Sequence, residues 1–167
     1  MKAMPTLEGG LRIDTENFSD WGVLRSIIVD ASSETTHDLA SRMGALVSED
    51  CGGEDWEEYI VPDLRESFHD ELAQVGATIE SAIHIANGGP GPIWINPDDV
   101  FLWYSALNQA RLALEDRHRF GPTEAISLAG FDPVKRSAFM RSNFYCAIQS
   151  LLLEHVVNNS RIQDQPK

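Results

Sequence analysis

Cysteines, basic residues and long apolar runs are all scarce in this chain. Only two cysteines occur among 167 residues, which excludes a disulfide framework and a cysteine-rich metal site. Lysine and arginine number 13 against 26 aspartate and glutamate residues, so the net charge is −13. An acidic surface repels the phosphates of nucleic acids and of anionic lipids. We therefore expect neither nucleic acid nor membrane as a partner.

No stretch of the sequence is typical of membrane insertion or secretion. The longest apolar region, Phe144–Leu153, is shorter than a bilayer-spanning helix and contains Gln149 and Ser150. The first ten residues, MKAMPTLEGG, have no apolar stretch of the kind found in signal peptides. A cytoplasmic location is the resulting expectation.

Neither cysteine lies in a sequence typical of a reactive thiol. Cys51 is surrounded by carboxylates in SEDCGGEDWEE, and their charge disfavours the thiolate needed for nucleophilic chemistry. Cys146 lies in NFYCAIQSLLL, where we expect it to pack as a small apolar residue. We expect no catalytic cysteine, and the sequence alone does not decide whether the two thiols react with each other.

Apolar residues at helical spacing predict a single, mainly α domain with about five helices in an orthogonal or bundle-like array. Three starts are typical of helices, because proline tolerates the first turn and Asn or Asp caps free N–H groups. They are Pro62, Asn96–Pro97 and Asp132–Pro133. The predicted helices are Glu16–Asp30, Glu34–Val47, Pro62–Ala86, one that starts at Asn96 and runs through Trp103–Phe120, and Asp132–Val157.

Two short segments, Leu11–Asp14 and Ile93–Asn96, alternate apolar and other residues as half-buried strands do. Each is followed by cap-like polar residues and then by an apolar residue and a tryptophan. This repetition predicts two strand–cap–helix units that pair as a short two-stranded ribbon; the alternative is that helix caps recur by chance. The ends, Met1–Gly10 and Asn159–Lys167, are expected to fray around an ordered core of about residues 11–157.

A stripe of polar side chains interrupts the apolar sequence of WYSALNQARLALEDRHRF (Trp103–Phe120). On a helix its members fall within a sector of about 80°, which Leu107 borders on one side and Leu112 on the other. We therefore expect partial burial, with Arg111 and Glu115 forming an ion pair one turn apart. The polar stripe is either an internal network that fixes helix register or a binding site. Its members are Tyr104, Asn108, Arg111, Glu115 and His118.

Repeated Glu-x-x-His pairs raise a metal site as the alternative function. Helical di-iron and di-manganese proteins use two such pairs together with a glutamate from each of two further helices. Only the pair within the polar stripe is expected to face the interior. Our primary expectation is therefore that the protein binds no metal or other cofactor. The pairs are Glu34/His37, Glu66/His69 and Glu115/His118.

Two of the four tryptophans are candidates for contact with a protein partner. Trp56 lies in acidic sequence, and Trp94 is expected to face outward from its short strand. Exposed aromatic residues on an acidic protein favour protein contacts, although they also serve as lids over small cores. No Gly-x-Ser-x-Gly motif is present, and paired neighbouring carboxylates diverge on helices. We expect a non-catalytic interaction or regulatory protein that binds another protein or itself.

The run WYSALNQARLAL, followed by DPVKRSAFMRSNFYCAIQSLLLEHV, resembles the C-terminal half of a bacterial family termed domain of unknown function 2017. The family pattern has a tryptophan, a leucine–asparagine pair and then arginine–leucine, which here are Trp103, Leu107–Asn108 and Arg111–Leu112. The segment LRIDTENFSDWGVLRSI is similar to the family's extended start leading into a helix. The resemblance implies a mostly helical cytoplasmic protein and no particular activity.

Overall fold

The computed structural model describes residues 1–32, 39–43, 56–121 and 130–163. Three strands lie within them: β1 (Lys2–Pro5), β2 (Leu11–Thr15) and β3 (Gly91–Ile95). The long helices are α1 (Phe18–Ser32), α2 (Val61–Ile85), α3 (Val100–His118) and α4 (Pro133–Gln163). Residues 39–43 are also helical, a π-helical turn (Trp56–Ile60) leads into α2, and a 3₁₀ turn (Pro97–Asp99) leads into α3.

The predicted fold class, a mainly helical protein with a small β element, is confirmed for the described residues. Helix α3 is central, because α1, α2 and α4 all pack against it. Helical spacing predicts an apolar face on α3 beyond Leu107, and this face is fully buried in the middle of the core. Its residues are Trp103, Ala106, Ala110 and Leu114. The strands close one end of the helical array, where Ile13 and Ile93 face the same core.

The helical spacing of Phe18, Trp21, Leu24 and Ile28 predicts the buried face of α1, but the helix buries a different face. Trp21 and Leu24 are buried as expected, but Phe18 is 68% exposed. The buried face continues instead through Ile27 to Asp30, so a carboxylate lies where the apolar spacing leads into the core. Helical spacing also predicts an apolar face on α2, and that face points inward. Its middle residues Leu72, Val75 and Ile79 are buried, and its outer residues are half-buried, namely Leu64, Phe68 and Ile83.

The predicted ribbon forms, because β2 and β3 pair antiparallel with Leu11 opposite Ile95. The sheet has a third strand, however, and the expectation that residues 1–10 fray is wrong. Lys2–Pro5 pairs with β2, and Ala3 packs against the core. Of the four residues of this edge strand only Ala3 packs against the core, so the strand shows no clear apolar alternation.

Helix ends follow the capping rules in one of the two predicted cases. Asp132 caps α4 as expected, because its Oδ1 accepts a hydrogen bond from the Lys135 N–H at 2.8 Å. Asn96 precedes the turn before α3, but its side chain makes no capping bond to the backbone and donates to Asp99 Oδ2 at 3.0 Å. Helix α4 continues to Gln163, so it extends beyond the predicted end at Val157 into the stretch expected to fray. Most of the predicted helix Glu34–Val47 lies outside the described residues.

We expect Gly10→Ala to destabilise the protein by about 2 kcal/mol, the range of overpacking in a tight core. A Cβ at Gly10 would lie 2.1 Å from the carbonyl oxygen of Ile95, so the end of β3 would have to move. The matched control is Gly22→Ala in α1, where a Cβ meets nothing within 4 Å. That change should stabilise the helix slightly. Urea unfolding measures both, and equal effects of the two substitutions would contradict this account.

Candidate functional site

The polar stripe lies on the side of α3 that faces α4. Tyr104, Asn108, Arg111 and His118 are half-buried, as predicted, whereas Glu115 is exposed. The Arg111 Nη1 donates to Gln149 Oε1 of α4 at 2.6 Å, and Gln149 Nε2 donates to the Tyr104 carbonyl at 3.1 Å. The stripe therefore connects α3 to α4 through one buried glutamine.

The expected ion pair between Arg111 and Glu115 is wrong. Among the described residues the Arg111 side chain bonds only to the neutral Gln149, and its Nε is buried without a hydrogen-bond partner. Pairing at i,i+4 on an exposed helix gains a few tenths of a kcal/mol. A hydrogen bond to a buried side chain across a helix interface gains more, because the glutamine would otherwise be unpaired.

A second buried polar cluster joins α1 to α4, and the sequence analysis missed it. Asp30 is 3% exposed, and its carboxylate accepts two hydrogen bonds from Arg141, at 2.7 and 2.9 Å. The Tyr145 hydroxyl donates to the same carboxylate at 2.8 Å, and Arg117 of α3 donates to the Asp30 carbonyl at 3.4 Å. The missed signal was the spacing of Trp21, Leu24, Ile27 and Asp30, which puts the acid on the buried face.

The Asp30 cluster has strong electrostatic consequences for its members. Burial first, and then the Asp30 charge, raise the pKa of Tyr145 well above its usual range, so the hydroxyl keeps its proton. The hydrogen bond to Asp30 raises the pKa of Arg141. Tyr145 therefore stays protonated and Arg141 stays charged near neutral pH. Acid–base catalysis needs a group that gains and loses a proton in that range.

His118 lies at the end of the polar stripe, where its ring stacks on Phe120 with centroids 5.8 Å apart. Burial lowers the pKa of His118, and the nearby charges of Arg117 and Arg141 lower it further. The ring is therefore biased towards the neutral form in the folded protein.

Metal ligation finds no support in the described part of the chain. There, no three His, Cys, Asp or Glu side chains lie close enough together to hold a metal ion. Glu66 and His69 are exposed, as predicted, and Glu115 is exposed beside the half-buried His118. Glu34, His37 and Cys51 lie outside the described residues. Cys146 is a half-buried free thiol.

The outer face of the sheet carries the clearest candidate for a contact surface. Trp94 is 50% exposed, as predicted, and the Arg12 guanidinium lies 5.0 Å from its ring centroid. Asp14 holds Arg12 in place through a 2.7 Å ion pair. On one side of Trp94 the exposed Met4 and Leu7 line a hollow of about 390 Å³; the side chain of Trp56, the other candidate, is outside the described residues.

The other side of Trp94 borders a larger groove between α2 and β3. Its volume is about 710 Å³, and no ionisable side chain lines it. Ile85, at the end of α2, is 82% exposed at its rim. We call Met4, Leu7, Arg12, Ile85 and Trp94 together the Trp94 surface.

The described helices and strands define a mainly helical protein with a three-stranded antiparallel sheet at one end. The chain belongs to the family described as domain of unknown function (DUF2017), whose model matches residues 13–156. This confirms the resemblance seen in the sequence. No curated protein and no solved structure matches the chain. Of the helices within the described residues, none combines the length and apolar content needed to cross a bilayer.

Asp30→Ala should lower the free energy of unfolding by about 3–5 kcal/mol, because it leaves the Arg141 charge without its buried partner. Tyr145→Phe removes one hydrogen bond and should cost about 1 kcal/mol. Glu80→Ala, which breaks the exposed pair with Arg25, is the control and should change little. Urea denaturation gives all three values, and a neutral Asp30→Ala would show that the cluster does not hold the helices.

His118 should contribute to loss of stability in mild acid. Its folded pKa is below the ordinary value, so the unfolded state binds protons more readily as the pH falls. Its contribution is complete above about pH 6.5 and is lost as the pH falls through the folded pKa. His118→Phe should therefore reduce the difference in unfolding free energy between about pH 7.5 and 5.5. His69→Phe on the exposed face of α2 controls for the introduction of a phenylalanine, and identical pH profiles for both variants would refute the assignment.

Proposed function

We propose that this chain is a non-catalytic, cytoplasmic interaction protein that binds another protein through the Trp94 surface. The observation that supports this best is the position of Trp94. It is half exposed between a mainly apolar hollow, whose lining also includes Glu8 and Arg12, and a groove without ionisable lining residues. Aromatic side chains flanked by apolar pockets are typical anchors of protein interfaces. The cytoplasmic location rests on the sequence expectation and is part of the proposal.

The hydrogen bonds between internal polar groups support the interpretation that the polar stripe holds the helices together and is not a binding site. Arg111 is engaged by Gln149, and Gln109 donates to Glu71 of α2 at 2.8 Å, so polar side chains of α3 point at neighbouring helices. The Ser105 hydroxyl donates to the same Glu71 oxygen at 2.5 Å. In the described part of the chain these bonds join neighbouring helices and stabilise their packing.

Arg12 gives the Trp94 surface a defined shape. Its cation–π contact holds the indole ring, and its ion pair with Asp14 holds the arginine in turn. A side chain that is already ordered loses little entropy on binding, which favours its use as an anchor. We expect a partner with apolar side chains, because Met4, Leu7 and Trp94 are apolar or aromatic.

Trp94→Ala should weaken binding of protein partners by roughly 30-fold, since removing an anchor tryptophan costs about 2 kcal/mol or more. The control is Phe101→Ala, an aromatic residue of α3 that is 66% exposed and is not part of the Trp94 surface. The wild type and both variants are immobilised and exposed to a bacterial lysate, and the retained proteins are quantified by mass spectrometry.

Circular dichroism and urea unfolding check that each variant is folded. Proteins retained by the wild type and by Phe101→Ala but lost with Trp94→Ala support the proposal. An unchanged set of retained proteins on Trp94→Ala would refute it.

A further inference from the structure

We propose that β3 pairs with β3 of a second copy of this chain, antiparallel and across a two-fold axis at Trp94. The result would be a continuous six-stranded sheet shared by two copies. The inference goes beyond the proposed function, because it concerns the free backbone edge of the sheet and not its outer face.

The hydrogen bond that closes the β1–β2 hairpin fixes which backbone groups face the free edge. The Thr6 N–H donates to the Gly10 carbonyl at 2.9 Å, so the two residues are a hydrogen-bonded pair. In antiparallel strands such pairs alternate, so the even-numbered residues of β2 bond to β1 and its odd-numbered residues bond to β3. The β2–β3 register aligns odd with odd, which leaves the backbone groups of Pro92 and Trp94 pointing out of the sheet.

The outward groups are self-complementary. Trp94 offers an N–H and a carbonyl that bond to nothing in the described part of the chain, and Pro92 offers only a carbonyl. Asn96 continues the extended backbone (φ −72°, ψ 160°) and offers an N–H, while its carbonyl already accepts from the Asp99 N–H at 3.0 Å. The edge therefore has two free donors and two free acceptors.

A two-fold axis at Trp94 satisfies all of these groups. The two Trp94 residues exchange a pair of N–H to carbonyl bonds, and each Asn96 N–H donates to the Pro92 carbonyl of the other copy. Pro92 has no N–H to donate, and it lies opposite the Asn96 carbonyl of the other copy. That carbonyl already accepts a hydrogen bond from the Asp99 N–H. An axis one residue earlier would pair Trp94 with Pro92 and leave both Trp94 carbonyls without a donor, so the register is specified.

Charge and space favour the same arrangement. Each copy carries −13, so a surface without acidic groups is the most favourable place for a second copy to approach closely. The groove beside β3 has no ionisable lining residue and a volume of about 710 Å³. A two-fold axis perpendicular to the sheet puts both α2 helices on the same side of it, where Ala77, Thr78 and Ser81 are small enough for close approach.

The pairing would also place the two Trp94 side chains next to each other. Directly opposite residues of a hydrogen-bonded antiparallel pair have Cα atoms about 5.5 Å apart, and aromatic pairs stabilise such positions. Each ring keeps its own Arg12 on the far side. The outer faces of the two sheets would then form one surface of doubled width.

The test is sedimentation velocity of the purified full chain over a range of concentrations, with a dimer expected at about 10 µM and above. Ala77→Arg puts a long charged side chain into the groove and should give a monomer. Ala73→Arg is the matched control: it is one turn away on α2, also exposed, and outside the groove lining. It should leave the dimer intact, and added salt should strengthen association by screening the acidic charge.

Hydrogen exchange identifies the edge that pairs. The Trp94 amide should exchange more slowly as concentration rises, because it becomes hydrogen-bonded in the dimer. The Ala3 amide faces the opposite edge of the sheet and should exchange at a constant rate. A monomer at all concentrations, or a dimer that Ala77→Arg does not disrupt and that leaves the Trp94 amide unaffected, would overturn the inference.

The outcomes separate this inference from the proposed function. A monomeric wild type that still retains proteins through Trp94 would overturn only the β3 pairing. A dimer whose retained proteins do not depend on Trp94 would overturn only the proposed function. A wild-type dimer that Ala77→Arg disrupts, together with retained proteins that Trp94→Ala loses, would support both.

Discussion

The packing of the helices depends on the buried carboxylate of Asp30. A carboxylate that is 3% exposed is costly unless its oxygens are bonded, and here Arg141 and Tyr145 supply three hydrogen bonds. Arg117 of α3 adds a bond to the Asp30 carbonyl, so three helices meet at one residue. Because a shift of α1 by one residue would withdraw the carboxylate from Arg141, the cluster fixes how α1, α3 and α4 are placed along one another.

Local periodicity predicted the helices, the apolar face of α3 and the β2–β3 ribbon, because each is encoded by residues close together in sequence. The polar stripe was placed correctly on α3, but its partner was not. The prediction paired Arg111 with Glu115, since rules for a single helix consider only neighbours on that helix. The actual partner, Gln149, is on α4, and only the packing of the two helices brings it within reach. Strand β1 escaped prediction for the same reason, because its stability comes from β2.

Polar and apolar groups are distributed in an unusual way between the interior and one end of the protein. The interior contains polar links between helices, at Asp30, Glu71 and Gln149. The sheet end instead exposes Met4, Ile85 and Trp94. The interactions that stabilise the fold are therefore concentrated where α3 meets its neighbours. The apolar side chains of the Trp94 surface are exposed at the sheet end. Within the described residues, Arg111 Nε is the exception to this pattern, because it is buried without a hydrogen-bond partner.

The sheet also joins parts of the chain that are far apart in sequence. Strands β1 and β2 form a local hairpin, whereas the Thr15 hydroxyl donates to the Gly91 carbonyl across a separation of 76 residues. Closing so long a loop costs entropy that only later contacts recover, so we expect β3 to join the sheet after α1 and α2 have brought its ends near. During synthesis on the ribosome the β1–β2 hairpin would therefore wait, with one edge unpaired, until α2 has emerged. An early-formed strand edge of this kind is a site where a chaperone or another nascent chain can bind before the native strand arrives.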